Sequence, residues 1–146
     1  MIKIDNDKLA YEREYLKLGY KYICGIDEVG RGCLFGPVTA AAVIMPLSLK
    51  DNKDIINGIE DSKKLTAKKR EELSKKIIEK SISYSIYSIS EKTIDEINIL
   101  NATKSAMINA VKNLKINGVN RADTEKTSRH PTANIKKIEC FSISKN

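Results

Sequence analysis

Histidine is nearly absent from this sequence. Its 146 residues hold one, His130, with three cysteines, three prolines and no tryptophan. A three-histidine zinc centre is therefore excluded, and a serine–histidine triad would have to use that single ring. Cys24, Cys33 and Cys140 are odd in number and include no Cys-x-x-Cys pair, which argues against a disulfide framework and a structural zinc site. No apolar run approaches the ~18–20 residues that cross a bilayer. The first seven residues alternate charge with isoleucine where a signal peptide would be apolar. The expectation is a cytoplasmic protein with no membrane partner, and, if it is an enzyme, one that works with carboxylates.

What is present is charge and a modest core. Hydrophobic residues make up 41% of the chain, enough for one compact domain and too many for a wholly disordered one. Lysine and arginine outnumber aspartate and glutamate by 26 to 19, a formal charge of +7. That balance fits a polyanionic partner such as nucleic acid, and equally a set of solvated lysine faces.

Residues 6–18 have helical spacing, with Tyr11, Tyr15 and Leu18 on one side, Asn6 or Asp7 to cap the start and Gly19 to stop it. The run from Tyr22 to Glu28 reads as a strand, Gly30, Gly32, Gly36 and Pro37 as a tight loop, and Val38 to Met45 as a strand buried on both faces. Residues 47–60 form an irregular, charged connection. A lysine-rich helix is expected from Thr66 to Lys80, with Leu73 and Ile77 inward, and a half-buried strand from Ile82 to Ile89. Thr93-x-x-Glu96 has the form of a capping box, and behind it Ile94, Ile97, Leu100, Met107, Val111 and Leu114 predict one helix to about residue 116. Beyond it the character changes: from Asn117 to Asn134 only three of eighteen residues are apolar, and none of the chain's 21 isoleucines lies between Ile116 and Ile135. Ile138 to Ile143 could be a strand, without an obvious partner.

The chemistry concentrates in Gly25-Ile-Asp27-Glu28-Val-Gly30-Arg31-Gly32. Two adjacent carboxylates at the end of an apolar strand are costly to desolvate unless paired. Neighbouring strand residues face opposite ways, so both acids serve one centre only where the strand ends and bends, and the glycines supply the bend. Such a pair suits magnesium or manganese, which prefer oxygen ligands; two ordinary surface acids at a solvated strand end is the plainer alternative. Gly30 and Gly32 let backbone amides approach an anion or sugar hydroxyl, and Arg31 can grip phosphate, though a turn needing positive φ would use the same glycines. The spacing Gly-x-Gly-x-x-x-Gly, followed by a strand, fits no dinucleotide site, and no Gly-Lys-Ser/Thr is present. Asp61-Ser62-Lys63-Lys64-Leu65-Thr66 sits just before a helix, where lysines oppose the dipole and a phosphate contact by Ser62 and Lys63 would explain them. Lys68, Lys75, Lys76 and Lys80 read as a solvated face.

Together these pieces resemble the ribonuclease HII family. Tyr22 to Pro46 is similar to that family's opening signature, and Asp-Ser-Lys-Lys-Leu-Thr at 61–66 and Ile-Asp-Glu-Ile-Asn-Ile-Leu-Asn-Ala-Thr at 94–103 follow in order, so that the resemblance covers residues 5–116. It implies an α/β, ribonuclease H-like mixed sheet flanked by helices, acting on RNA–DNA hybrids and on single ribonucleotides in duplex DNA. It further implies four metal-binding acids, the first two matching Asp27 and Glu28, which would hold two magnesium or manganese ions. Gly30, Arg31 and Gly32 match the loop that reads the ribose 2′-hydroxyl, and Lys63 a phosphate-contacting lysine.

The remaining two acids have no counterpart signature. Asp123 stands near the expected distance without the strand that would aim it, and Asp95 belongs to the helix start. The expectation is an N-terminal part of the fold over 1–116 and a divergent tail over 117–146, as in a truncated or frame-disrupted copy with an incomplete sheet. Such a chain would be a monomer with weak or no nuclease activity. The alternatives are a non-catalytic basic nucleic-acid-binding fragment and a small ribosomal RNA-binding protein, the second of which leaves the acid pair unexplained.

Overall fold

The protein is described here by a computed structural model covering residues 9–32, 35–47, 56–59, 62–116 and 138–142. The expected caps Asn6 and Asp7, and Cys33, Asp61 and Asp123, lie outside these residues. Helix α1 spans Ala10–Lys17 and is stopped by Gly19, whose φ of 94° suits only glycine, while Tyr20 N–H donates to Tyr15 O. Strands β1 (Tyr22–Val29) and β2 (Val38–Ile44) form an antiparallel pair, and the glycine-rich loop joins them. A single 3₁₀ turn, Ser62–Lys64, precedes α2 (Ala67–Lys80), whose N-cap Thr66 accepts from Lys69 N–H. Strand β3 (Ser83–Ile89) returns antiparallel to β2. Among the described residues no helix is long and apolar enough to cross a membrane.

Two expectations about the following segment need correction. Thr93-x-x-Glu96 is not the helix start: α3 spans Glu91–Ile97, and its cap is Ser90, whose hydroxyl accepts from Thr93 N–H. Nor is there one helix to residue 116. At Asn98 the backbone takes φ 67°, ψ 165°, which breaks the ladder, and the Asn98 side chain then caps α4 (Ile99–Lys112) by accepting from Asn101 N–H. The break rotates Leu100 out of the apolar stripe, and it is exposed.

The last described element, β4 (Ile138–Ser142), supplies what the sequence pattern leaves open. It pairs parallel with β1, from Tyr22↔Ile138 to Ile26↔Ser142. The sheet is mixed, in the order β3-β2-β1-β4, with α3 and α4 in the crossover between β3 and β4. Helix α4 lies across one face of it. Cys24, Val38, Ala40, Ala42 and Ile44 are fully buried there with Ala102, Ala106 and Ala110. Alanine on both surfaces lets helix and sheet approach closely, so few large side chains suffice to seal the core.

Candidate functional site

The register of β1 decides where its two acids go. Glu28 pairs with Ala40, which pairs with Tyr87, so the three share one row; Asp27, Ala41 and Ile86 form the next. Successive strand residues alternate faces. Cys24 and Ile26 point into the α4 core, and Glu28 follows them on that side, half-buried, whereas Asp27 leaves from the other face and is exposed. The strand stays paired through Val29↔Thr39, so the bend falls at Gly30, after both acids rather than between them. What draws Asp27 toward its neighbour is local: its Oδ1 accepts from Glu28 N–H at 2.9 Å.

Gly30 is where the fold itself demands glycine. Its φ is 93°, and a Cβ there would stand 2.4 Å from the Pro37 carbonyl oxygen, so the loop closes backbone against backbone. Gly32 differs. Its φ is ordinary and a Cβ would meet nothing within 4 Å, so no neighbour among the described residues requires glycine there. Arg31 and Gly32 are exposed on the turn. The same loop carries Phe35, 92% exposed, a residue the sequence reading passed over. Its signal was available: it is one of only two phenylalanines and sits in a glycine-rich loop, away from any apolar run.

Helix α4 begins at this end of the sheet. Its far end is fixed where Lys115 N–H donates to Ser83 Oγ, at the start of β3, so Asn98 and Asn101 lie toward Ile89, Val38 and Glu28. The strained Asn98, a second residue missed from sequence, thus sits at the acid-bearing end.

Ser62 and Lys63 are exposed on the turn before α2. The turn's own bond, Leu65 N–H to Ser62 O, is long at 3.3 Å. Arg70 reinforces it, its Nη1 donating to Leu65 O at 2.7 Å and Ser62 O at 3.1 Å. Residues 63–70 carry five cations and no acid. Further along the helix the charges are matched: Glu72 accepts from Lys76 at 2.9 Å and Lys69 at 3.4 Å, and Glu71 pairs with Lys75 at 3.0 Å. The Lys76 and Lys69 bonds hold the Glu72 carboxyl below its usual range.

A divalent cation fits the end of β1 on one observation. Glu28 Oε2 is buried and has no hydrogen-bond partner among the described residues. An anionic oxygen left so is costly, and a hard cation satisfies it as a donor would. Asp27, the preceding residue, carries a second carboxylate at the same strand end, on the opposite face of the sheet. Among the described residues no group of three or more histidine, cysteine, aspartate or glutamate side chains could hold a metal ion. A magnesium-type ion bound through two carboxylates completes its shell with water and substrate phosphate.

The sequence profile of ribonuclease HII matches residues 24–142. This chain belongs to the ribonuclease HII family. The match includes β4 and so extends past residue 116, where the sequence pattern breaks. The chain is 56% identical over 104 residues to the ribonuclease HII of Caldicellulosiruptor saccharolyticus, covering 71% of this chain and 48% of that protein. Among solved structures it resembles the ribonuclease H2 of Pyrococcus horikoshii OT3, with a TM-score of 0.58 at 25% identity over 84% of this chain and 62% of that one. It also resembles the ribonuclease HII of Archaeoglobus fulgidus, solved in complex with PCNA, with a TM-score of 0.52 at 29% identity over 62% of this chain and 45% of that one. The mixed sheet with helices is the ribonuclease H-like fold that the motifs imply. The chain spans about half the length of the curated relatives it matches.

Proposed function

We propose that this chain carries the substrate-reading half of a ribonuclease HII site, directed at the RNA strand of RNA–DNA hybrids and at single ribonucleotides in duplex DNA. The observation that carries the reading is the buried Oε2 of Glu28, without a hydrogen-bond partner among the described residues, two residues before the turn that Gly30 alone can make. Asp27 and Glu28 hold magnesium or manganese. When bound, a pair of such ions activates water and stabilises the leaving oxygen of a phosphodiester. The turn amides at Gly30–Gly32 face the ribose 2′-hydroxyl, the group that tells RNA from DNA, and a Gly32 without steric need of its own leaves room for that close approach. Ser62 and Lys63 take a neighbouring phosphate. The chain works as a monomer in the cytoplasm, in DNA replication and repair.

The described residues supply two carboxylates, and a set of two supports weak or no turnover with binding retained. The test is a duplex with one embedded ribonucleotide, compared with the all-DNA duplex, by fluorescence anisotropy with and without manganese. Preferential binding of the ribonucleotide duplex is expected, and Glu28→Gln should weaken manganese affinity at least ~10-fold. Equal affinity for both duplexes, with manganese binding untouched by Glu28→Gln, would sink the reading. Robust cleavage abolished by Asp27→Asn would keep the family activity and overturn the claim of weak turnover.

A further inference from the structure

Arginine at position 70 stands in a place that electrostatics disfavours. It lies in the second turn of α2, and its side chain reaches back past the helix N-terminus, where the macrodipole is already positive and the sequence from 63 to 69 carries four lysines and no acid. No carboxylate among the described residues pairs with it; its partners are two carbonyl oxygens, those of Ser62 and Leu65. Both belong to the turn that carries Ser62 and Lys63. Among the described residues its backbone is closed by the Leu65 N–H to Ser62 O bond, which at 3.3 Å lies beyond the usual range for N–H···O. A charge-assisted bond is roughly twice as strong as a neutral one, so the 2.7 Å contact to Leu65 O outweighs it. Arg70 thus ties both Ser62 and Leu65 of the turn to the start of α2.

We propose that Arg70 is a positioning residue of the nucleic-acid site: it clamps the Ser62–Lys64 turn onto the start of α2 so that Ser62 and Lys63 meet a backbone phosphate in one preset geometry. The inference rests on the reading of Ser62 and Lys63 as phosphate contacts. Arginine suits the task because one nitrogen bridges two carbonyls while the planar fork keeps its orientation, which a lysine ammonium does not. A positioning residue and the residue it positions fail together, and this separates the proposal from a second, independent phosphate contact.

The experiment measures binding of the full chain to the ribonucleotide-bearing duplex across 50–200 mM salt for Lys63→Ala, Arg70→Ala, Arg70→Lys and the Lys63→Ala/Arg70→Ala pair. Each alanine variant should lose about tenfold in affinity and shed a similar step of the salt slope, and the pair should stay near tenfold. Arg70→Lys should restore part of the affinity at unchanged Tm, which distinguishes a lost clamp from a lost fold. A hundredfold loss in the pair would make Arg70 an independent contact and overturn the proposal, as would wild-type binding by Arg70→Ala. Wild-type binding by Lys63→Ala would instead remove the underlying reading, whatever Arg70 does.

Discussion

The two faces of the sheet are built by opposite rules. Beneath α4 every β2 residue of one parity, Val38, Ala40, Ala42 and Ile44, is closed to water. On the other face Val29, Tyr84 and Ile86 are 68%, 46% and 60% exposed, although Val29 and Ile86 are as apolar as the residues inside. In β3 the inversion is complete along Ser83–Ile86, where Ser83 and Ser85 are buried and Tyr84 and Ile86 are outside. Burial here follows register. The antiparallel pairing places Ser83 opposite Ile44 and Ser85 opposite Ala42, on the face that α4 covers. Ser83 is satisfied there because its hydroxyl accepts from Lys115 N–H, three residues past the end of α4. Glu28 belongs to this closed face and Asp27 to the open one, so the acid pair straddles a boundary between two environments.

The sharpest way to break this contrast is one deletion on each face. Ile44→Ala opens a cavity in the sealed layer and should cost roughly 2–5 kcal/mol. Ile86→Ala, on the neighbouring strand and larger in exposed apolar area, should change stability by no more than about 0.5 kcal/mol. Urea unfolding of both variants checks this. Comparable losses would mean that something covers the open face, and the two faces would no longer be distinct.

How much of this was legible in advance depended on whether the cause was local. Strands β1 and β2, the helix expected over 66–80 and the inward Leu73 follow from short-range patterns, and the structure has the elements within a residue of the expected bounds, with Thr66 as the N-cap of α2. The motif at 22–46 pointed to the turn, and Gly30 proves indispensable there on steric grounds. Three features depended on information that no window contains. The partner of β4 is β1, more than a hundred residues earlier, and pairing between distant segments leaves no periodic trace. The reach of Arg70 back to two carbonyls runs against the sign rule for helix ends, so the rule reads it as a solvated charge. The break at Asn98 hides inside an apolar stripe that continues on both sides of it.

That break supplies a subtler test of the closed face, since α4 lies on the sheet only because the chain restarts its helix at Asn98. Its φ of 67° with ψ of 165° falls in a region that glycine alone adopts cheaply, and such strain costs of order 1–3 kcal/mol. Asn98→Gly relieves the strain and sacrifices little capping, so a gain of about 1 kcal/mol is expected. Asn98→Ala keeps the strain, loses the bond to Asn101 N–H, and should cost about 1 kcal/mol. Thermal unfolding ranks them. Should alanine match glycine, neither strain nor cap governs the restart.

The smallest effect expected lies where water reaches everything. On α2 the Glu72 carboxyl is held below its usual range, first by the bond from Lys76 and then by that from Lys69. A depressed folded-state pKa contributes stability that is present above the unfolded value and disappears as pH falls through the folded one. The exposed helix should therefore soften in acid. The Ile44→Ala penalty is apolar in origin and should not track that change. Carboxyl NMR across pH 2–6 should find Glu72 titrating below an ordinary glutamate. Lys76→Met should move it back further than Lys69→Met, because the Lys76 contact is 2.9 Å against 3.4 Å. If both substitutions leave the titration where it was, the pairs are contacts of geometry alone and solvent screens them out, as it does many exposed ion pairs.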